Sequence, residues 1–224
     1  MIADPAITES IQKGATDILE KCLVEDPSLA ERTTKEGVSL LLFALYCGNK
    51  KAVELIKKYK PSLDLFEAVC LGDLEAVKQR IAQSPDRIEL PSVDGFSLLG
   101  YACFFGQEAI ARYLVEKGAD VNIPSANSFK VAPIHSACAI SSYPLVTLLA
   151  ENGADLNARQ QGGFTALHSA AGHGATQIVS LLLEKGADVQ AKTDAGETAL
   201  SIAEKKKLSD TAELIRSYIG LAGE

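Results

Sequence analysis

The sequence contains no tryptophan and a single methionine, and its aromatic share is only 6%. Basic residues are also too few to dominate, since Lys and Arg number 22 against 29 Asp and Glu, a formal charge of -7. Broad binding to a nucleic-acid backbone needs a basic face that displaces counterions, so nucleic acid is not an expected partner. No apolar run is long enough to cross a bilayer, and the opening "MIADPAITES" lacks the basic start and apolar core of a secretion signal. A cytoplasmic protein with no membrane association is expected. Cysteine is sparse and odd in number: Cys22, Cys47, Cys70, Cys103 and Cys138 each sit in an apolar stretch, and no disulfide is expected. Phosphate loops, His-Glu-x-x-His boxes and Gly-x-Ser-x-Gly elbows are absent.

What the chain has instead is a phrase it repeats. "EKGADVN" at 116–122 returns as "ENGADLN" at 151–157 and as "EKGADVQ" at 184–190. Gly118 to Gly153 is 35 residues and Gly153 to Gly186 is 33. A second landmark, the glycine that closes an earlier helix, falls at Gly14, Gly48, Gly72, Gly106 and Gly174, with Ser141 and Lys207 at the matching sites of two other copies. Only the step from Gly48 to Gly72 is short, at 24 residues. Because Gly14 to Gly72 and Gly48 to Gly106 are both 58, the first two copies recur as the third and fourth, shortening included. Pro27 and Pro85 match as well.

One copy, residues 164–188, reads as two short helices. Thr165 is placed to cap the first with its hydroxyl, and Gly174 to end it in the left-handed region. The second carries Ile178, Leu181, Leu182 and Leu183 on one face and stops at Gly186. The first helix holds a small pair, Ala170 and Ala171, echoed by Ala102 with Cys103 and Ala137 with Cys138, which leaves room for a neighbouring pair to approach. A lone pair of this kind cannot bury its apolar face, so the copies must stack.

"APIHSAC" at 132–138 and "TALHSAAGHG" at 165–174, with the Gly-Ala-Asp phrases, resemble the signature of the ankyrin repeat family; "SLLGYACFFG" at 97–106, "SLLLFALYCG" at 39–48 and "TALSIAE" at 198–204 are weaker copies. The resemblance implies an all-α ankyrin-repeat solenoid of about seven stacked helix pairs with short β-turn fingers. It implies one domain over 1–224: a cap at 1–35, repeats at 36–59, 60–91, 92–126, 127–160 and 161–192, and a cap at 193–224. A missing or stunted finger is expected at 60–65, and an extended one at 122–133. Lys207 and Glu204 stand at glycine and alanine sites of the last inner helix, which suits a solvated terminal cap.

The resemblance also places partner contacts on the finger tips and on the residues just before each closing glycine. Those positions hold Tyr46, Leu71, Phe104, Phe105, Ile140 and His173 on inner helices, and Phe96, Phe129 and Phe164 at fingers. Five of the seven phenylalanines thus fall where the family is exposed, although large apolar residues ordinarily go inside. Tyr101 and Phe43, one turn earlier, are expected in the core. The implied function is non-catalytic recognition of another protein through a concave face; the alternative is a regulatory subunit or inhibitor that covers an enzyme's active site. A rival of another class is an enzyme using His135, His168 or His173 between repeats. With Cys103 and Cys138 these histidines form a set too loose for four converging ligands, so neither a metal nor a cofactor is expected. A monomer is expected, with self-association through an apolar ridge as its alternative.

Overall fold

The computed structural model describes residues 2–221. Among the described residues, fourteen α-helices fall into seven successive packed pairs, and no strand forms beyond the isolated bridges of Ile2 with Thr33 and Thr33 with Ser39. The chain divides into two compact units, one running to Pro85 and including Ser92–Asp94, the other formed by Asp86–Pro91 with the chain from Gly95 onward.

The first unit holds α1 (Pro5–Lys13), α2 (Thr16–Glu25), α3 (Leu40–Tyr46), α4 (Lys50–Tyr59), α5 (Leu65–Leu71) and α6 (Leu74–Gln83). Inner helix α3 packs between α1 and α5, and outer helix α2 packs on α4. Ile7, Ile11, Leu19, Leu23, Leu40, Leu41 and Ile56 make one core, with Ala44 and Ala52 supplying the close approach. Phe43 packs against that core, half-buried.

The second unit holds α7 (Leu98–Phe104), α8 (Glu108–Glu116), α9 (Pro133–Ala139), α10 (Tyr143–Glu151), α11 (Ala166–Gly172), α12 (Thr176–Glu184), α13 (Ala199–Lys205) and α14 (Ser209–Leu221). Inner helices α7, α9, α11 and α13 pack in sequence, and outer helices α8, α10, α12 and α14 do the same. Ala102, Ala137, Ala170, Ala171 and Ala203 are fully buried between the inner helices. Any larger side chain there would force the row apart, because such interiors are close-packed.

The residue landmarks read from the sequence have physical counterparts. Ser141 and Lys207, standing where other copies have glycine, adopt the same left-handed backbone, with φ of 54° and 61°. Copies offset by 58 residues repeat their details: Ser39 Oγ accepts the Leu42 N–H, and Ser97 Oγ accepts the Gly100 N–H. A 3-10 turn follows α2 at Pro27–Glu31 and follows α6 at Pro85–Ile88. The third residue of four other inner helices takes over the free N–H of the capping residue with three kinds of side chain. Glu67 accepts from Asp64 at 2.9 Å, His135 from Ala132 at 3.1 Å, His168 from Thr165 at 3.1 Å and Ser201 from Thr198 at 2.9 Å. Thr165 is the capping residue of α11, and its hydroxyl meets His168 Nδ1 at 2.8 Å.

The short finger is present as expected. Residues 60–64 alone join α4 to α5, whereas 117–132 join α8 to α9 and 152–165 join α10 to α11. In place of a finger the first unit has an ion cluster. The Lys60 ammonium lies 3.3 Å from the fully buried Glu67 carboxylate and 2.8 Å from Glu31.

Candidate functional site

The repeated phrase builds the fingers of the second unit. Gly118, Gly153 and Gly186 turn the chain with φ of 88°, 83° and 92°, where a Cβ would be strained. The aspartate two residues later closes a local turn each time: Asp120 accepts from the Asn122 N–H, Asp155 from Asn157 and Asp188 from Gln190, at 2.8, 2.9 and 2.8 Å. The last residue reaches across to the following copy. Asn122 Oδ1 accepts the Asp155 N–H at 2.7 Å, its amide donates to Gly153 O at 3.0 Å, and Asn157 Oδ1 accepts the Asp188 N–H at 2.8 Å.

Finger tips are joined by backbone as well. Ala126 N–H donates to Gly95 O, Gln161 N–H to Phe129 O and Asp194 N–H to Gly162 O, at 2.7, 2.9 and 2.9 Å. The extra length of the 117–132 connection is taken up in a compact turn: Asn127 Oδ1 accepts the Phe129 N–H, Ser125 Oγ accepts the Val131 N–H, and Lys130 has a φ of 52°. Phe129 is therefore 54% exposed on a backbone that is tied down.

On the inner-helix side, an aromatic run leads from the core outward. Buried Tyr101 stacks on Phe96 at 5.5 Å between ring centres and meets Phe105 at 6.2 Å; Phe105 meets Phe104 edge-on at 5.1 Å. Phe96 and Phe105 are half-buried, while Phe104 is 45% exposed. An ideal Cβ on Gly106 would touch Ile140 Cδ1 at 3.5 Å, so exposed Ile140 lies over the glycine that follows the two phenylalanines. Phe96, Phe104, Phe105 and Ile140 are thereby brought into one neighbourhood.

The remaining residues expected at the site lie elsewhere. Half-buried Phe164 meets His168 edge-on at 5.9 Å and, with exposed His173, lines a cavity between α11 and α13. Tyr46 and Leu71 belong to the first unit, where the exposed Tyr46 gives its hydroxyl to Asp94 and Leu71 is half-buried against the core. Sequence reasoning missed the Lys60–Glu67 pair and the α11/α13 cavity, for both depend on side chains meeting across helices.

The histidines are committed to structure. His135 Nε2 lies 2.9 Å from Ala158 O, and His168 Nε2 lies 3.1 Å from both Ala191 O and Glu197 O. With Nδ1 accepting a backbone N–H in each case, both rings are neutral and carry their proton on Nε2. Burial holds both below the ordinary imidazole value, against the carbonyl contacts that favour the charged form. Neither ring has a nitrogen left for acid–base chemistry. The Cys103 and Cys138 thiols are free and buried, and burial pushes Cys138 up to about 12 and Cys103 further, so neither is a nucleophile. Among the described residues, no group of three or more His, Cys, Asp or Glu could hold a metal.

A profile of ankyrin repeats, three copies long, matches residues 65–160 and 134–221. The chain belongs to the ankyrin repeat family. It is thus built as a protein–protein interaction module, in a family that is generally non-catalytic. Among similar proteins are the ankyrin repeat and SAM domain-containing protein 6 of Rattus norvegicus, 31% identical over 46% of this chain and 12% of its own length, and the target of rapamycin complex 2 subunit AVO2 of Saccharomyces cerevisiae, 28% identical over 48% of this chain and 34% of its own. The RelA-associated inhibitor of Mus musculus is 28% identical over 45% of this chain and 12% of its own length. The matches thus span from about an eighth to a third of these relatives. No helix among the described residues of this ankyrin repeat protein is long and apolar enough to cross a membrane.

Proposed function

We propose that the ankyrin repeats of the second unit bind a segment of a partner protein on their inner-helix side, the concave one in this family, with Phe104 and Phe105 as its anchors. The observation that carries this is the graded aromatic run. A ring fixed in the core by Tyr101 holds Phe105, which in turn holds an exposed Phe104. Such a surface loses little side-chain entropy on binding, and aromatic anchors beside an apolar neighbour such as Ile140 are what interfaces concentrate their energy on. Phe96 steadies the run, Phe129 offers a second contact from its tied finger, and Phe164 with His173 a third. Tyr46 and Leu71 are contacts that the first unit supplies by itself.

Replacing Phe104 and Phe105 together by alanine tests the reading. Proteins captured from native extract by the wild-type chain are expected to fall by about tenfold or more with the double variant, as hot-spot loss does, while helicity by circular dichroism is unchanged. An identical captured set with intact helicity would overturn the assignment.

A second reading is that occupancy of this face masks another protein's active site. It is favoured by the similarity to a protein named as an inhibitor, the RelA-associated inhibitor. An activity assay on whichever captured partner is an enzyme separates the two, since scaffolding leaves turnover unchanged.

A further inference from the structure

Inner helix α11 ends in Gly172, at the position where α7 has Phe104 and α9 has Ala139. A Cβ placed on Gly172 would come within 3.3 Å of Ile202 Cγ2 and 3.5 Å of Lys206 Nζ. Beside Gly172 lies a cavity of about 400 Å³ whose apolar lining includes Phe164, Gly172 and Ile202, with Glu197, Lys205 and Lys206 as its charged residues. That volume admits one large apolar side chain.

The charges around it are unequal. Glu197 is taken by Lys205 at 3.2 Å. Lys206 gives one hydrogen bond to the terminal carbonyl of α11, Gly172 O, at 2.7 Å, and has no carboxylate partner among the described residues. An ammonium carries three donors, so two remain at the cavity for an acceptor supplied from outside. An anion is the acceptor that benefits most, because charge-assisted hydrogen bonds are the strong ones.

We propose that this cavity takes an aromatic or branched apolar side chain of a partner protein whose neighbouring residue is Asp or Glu, the carboxylate pairing with Lys206. This rests on the reading of the chain as a binder of protein segments and names the chemistry of one contact. It runs against the chain's overall charge of -7, so the readout is taken at Ile202 in the cavity itself rather than from binding to the chain as a whole.

The test titrates the full chain, with isotope-labelled isoleucine methyls, against three capped tripeptides: acetyl-Glu-Phe-Glu-amide, acetyl-Gln-Phe-Gln-amide and acetyl-Glu-Ala-Glu-amide. The first is expected to shift the Ile202 methyls saturably at millimolar concentration, the Gln peptide to bind about 3- to 5-fold more weakly, as an exposed ion pair allows, and the Ala peptide to give no saturable shift. Gly172→Ala, whose methyl intrudes on the cavity wall against Ile202 and suits a helix, should weaken the Phe peptides, and Lys206→Gln should erase the difference between Glu and Gln. No saturable shift at Ile202, equal affinity for the Glu and Gln peptides, or a preference that survives Lys206→Gln would each overturn the proposal. Capture that depends on Phe104 and Phe105 while these shifts are absent overturns the cavity alone; the converse overturns the aromatic anchors alone.

Discussion

Asn122 grips the next finger at two points, taking the Asp155 N–H on Oδ1 at 2.7 Å and giving its amide to Gly153 O at 3.0 Å. Both contacts are exposed and made to backbone, so each is worth a modest net amount. Asn122→Ala is expected to lower the stability of the ankyrin fold by about 1–2 kcal/mol, and Asn157→Ala by less, about 1 kcal/mol. Urea unfolding followed by circular dichroism measures both, and Gln190→Ala, which gives up no bond of this kind, serves as the neutral control.

Ser141 and Lys207 hold a backbone that glycine adopts without strain, and each follows an inner helix at the closing position. Ser141→Gly and Lys207→Gly should stabilise by about 0.5–1 kcal/mol, the relief of the left-handed strain less the added freedom of the unfolded chain. Raised thermal midpoints would agree; lowered ones would mean that the side chains contribute more than the backbone loses.

Acid should weaken the second unit through its histidines. Burial lowers the folded values of His135 and His168 below the ordinary 6.5, against the carbonyl contacts, with Asp155 and Glu197 also favouring the charged form and Arg159 opposing it at His168. The unfolded chain therefore binds the extra proton first. Their contribution is complete above the unfolded value and is lost as pH falls from 6.5 towards the folded values, at up to about 1.4 kcal/mol per pH unit for each ring. Unfolding free energies measured from pH 7.5 to 5 should decline accordingly, and the decline should flatten in His135→Gln and His168→Gln.

Lys60 and Glu67 illustrate the opposite sign. Burial raises the Glu67 carboxyl above its ordinary value despite the Asp64 N–H and Lys60, whereas Lys60 is raised because Glu31 and Glu67 outweigh its own burial. Lys60→Met strands the buried carboxylate and is expected to cost about 3 kcal/mol at neutral pH; Glu67→Gln keeps an acceptor for the Asp64 N–H and should cost less. The Lys60→Met deficit should shrink as pH falls through the raised Glu67 value and that group takes a proton. A deficit independent of pH would show that lost packing of the lysine stem, not stranded charge, is responsible.

The helix pairs, their closing residues and the stunted finger were legible because each is set by local backbone geometry that leaves a glycine, a capping residue or a changed spacing. Ser141 and Lys207 were recognisable only through register, since neither residue type announces a left-handed turn. Exposure was less readable. Phe104 and Phe105 are adjacent and alike, yet Phe105 is half-covered because it leans on Tyr101, a packing choice absent from any periodicity. Glu67 sits at the position of the signature histidine, which could have pointed to a buried carboxylate accepting the same N–H; the partner Lys60 could not have been chosen among the lysines around it. The cavity beside α11 was not readable, because it needs Ile202 and Lys206 of the next inner helix standing opposite Gly172.

The asparagine clasp ends at residue 190, where glutamine stands and the sequence offers no further Gly-Ala-Asp for it to hold. One extra methylene thus sets the last of the three phrases apart from the two whose asparagine holds a following finger. Anyone grafting a helix pair whose finger follows this phrase would have to restore asparagine at that point, or the two fingers would meet through packing and backbone bonds with no side chain clasping one to the other.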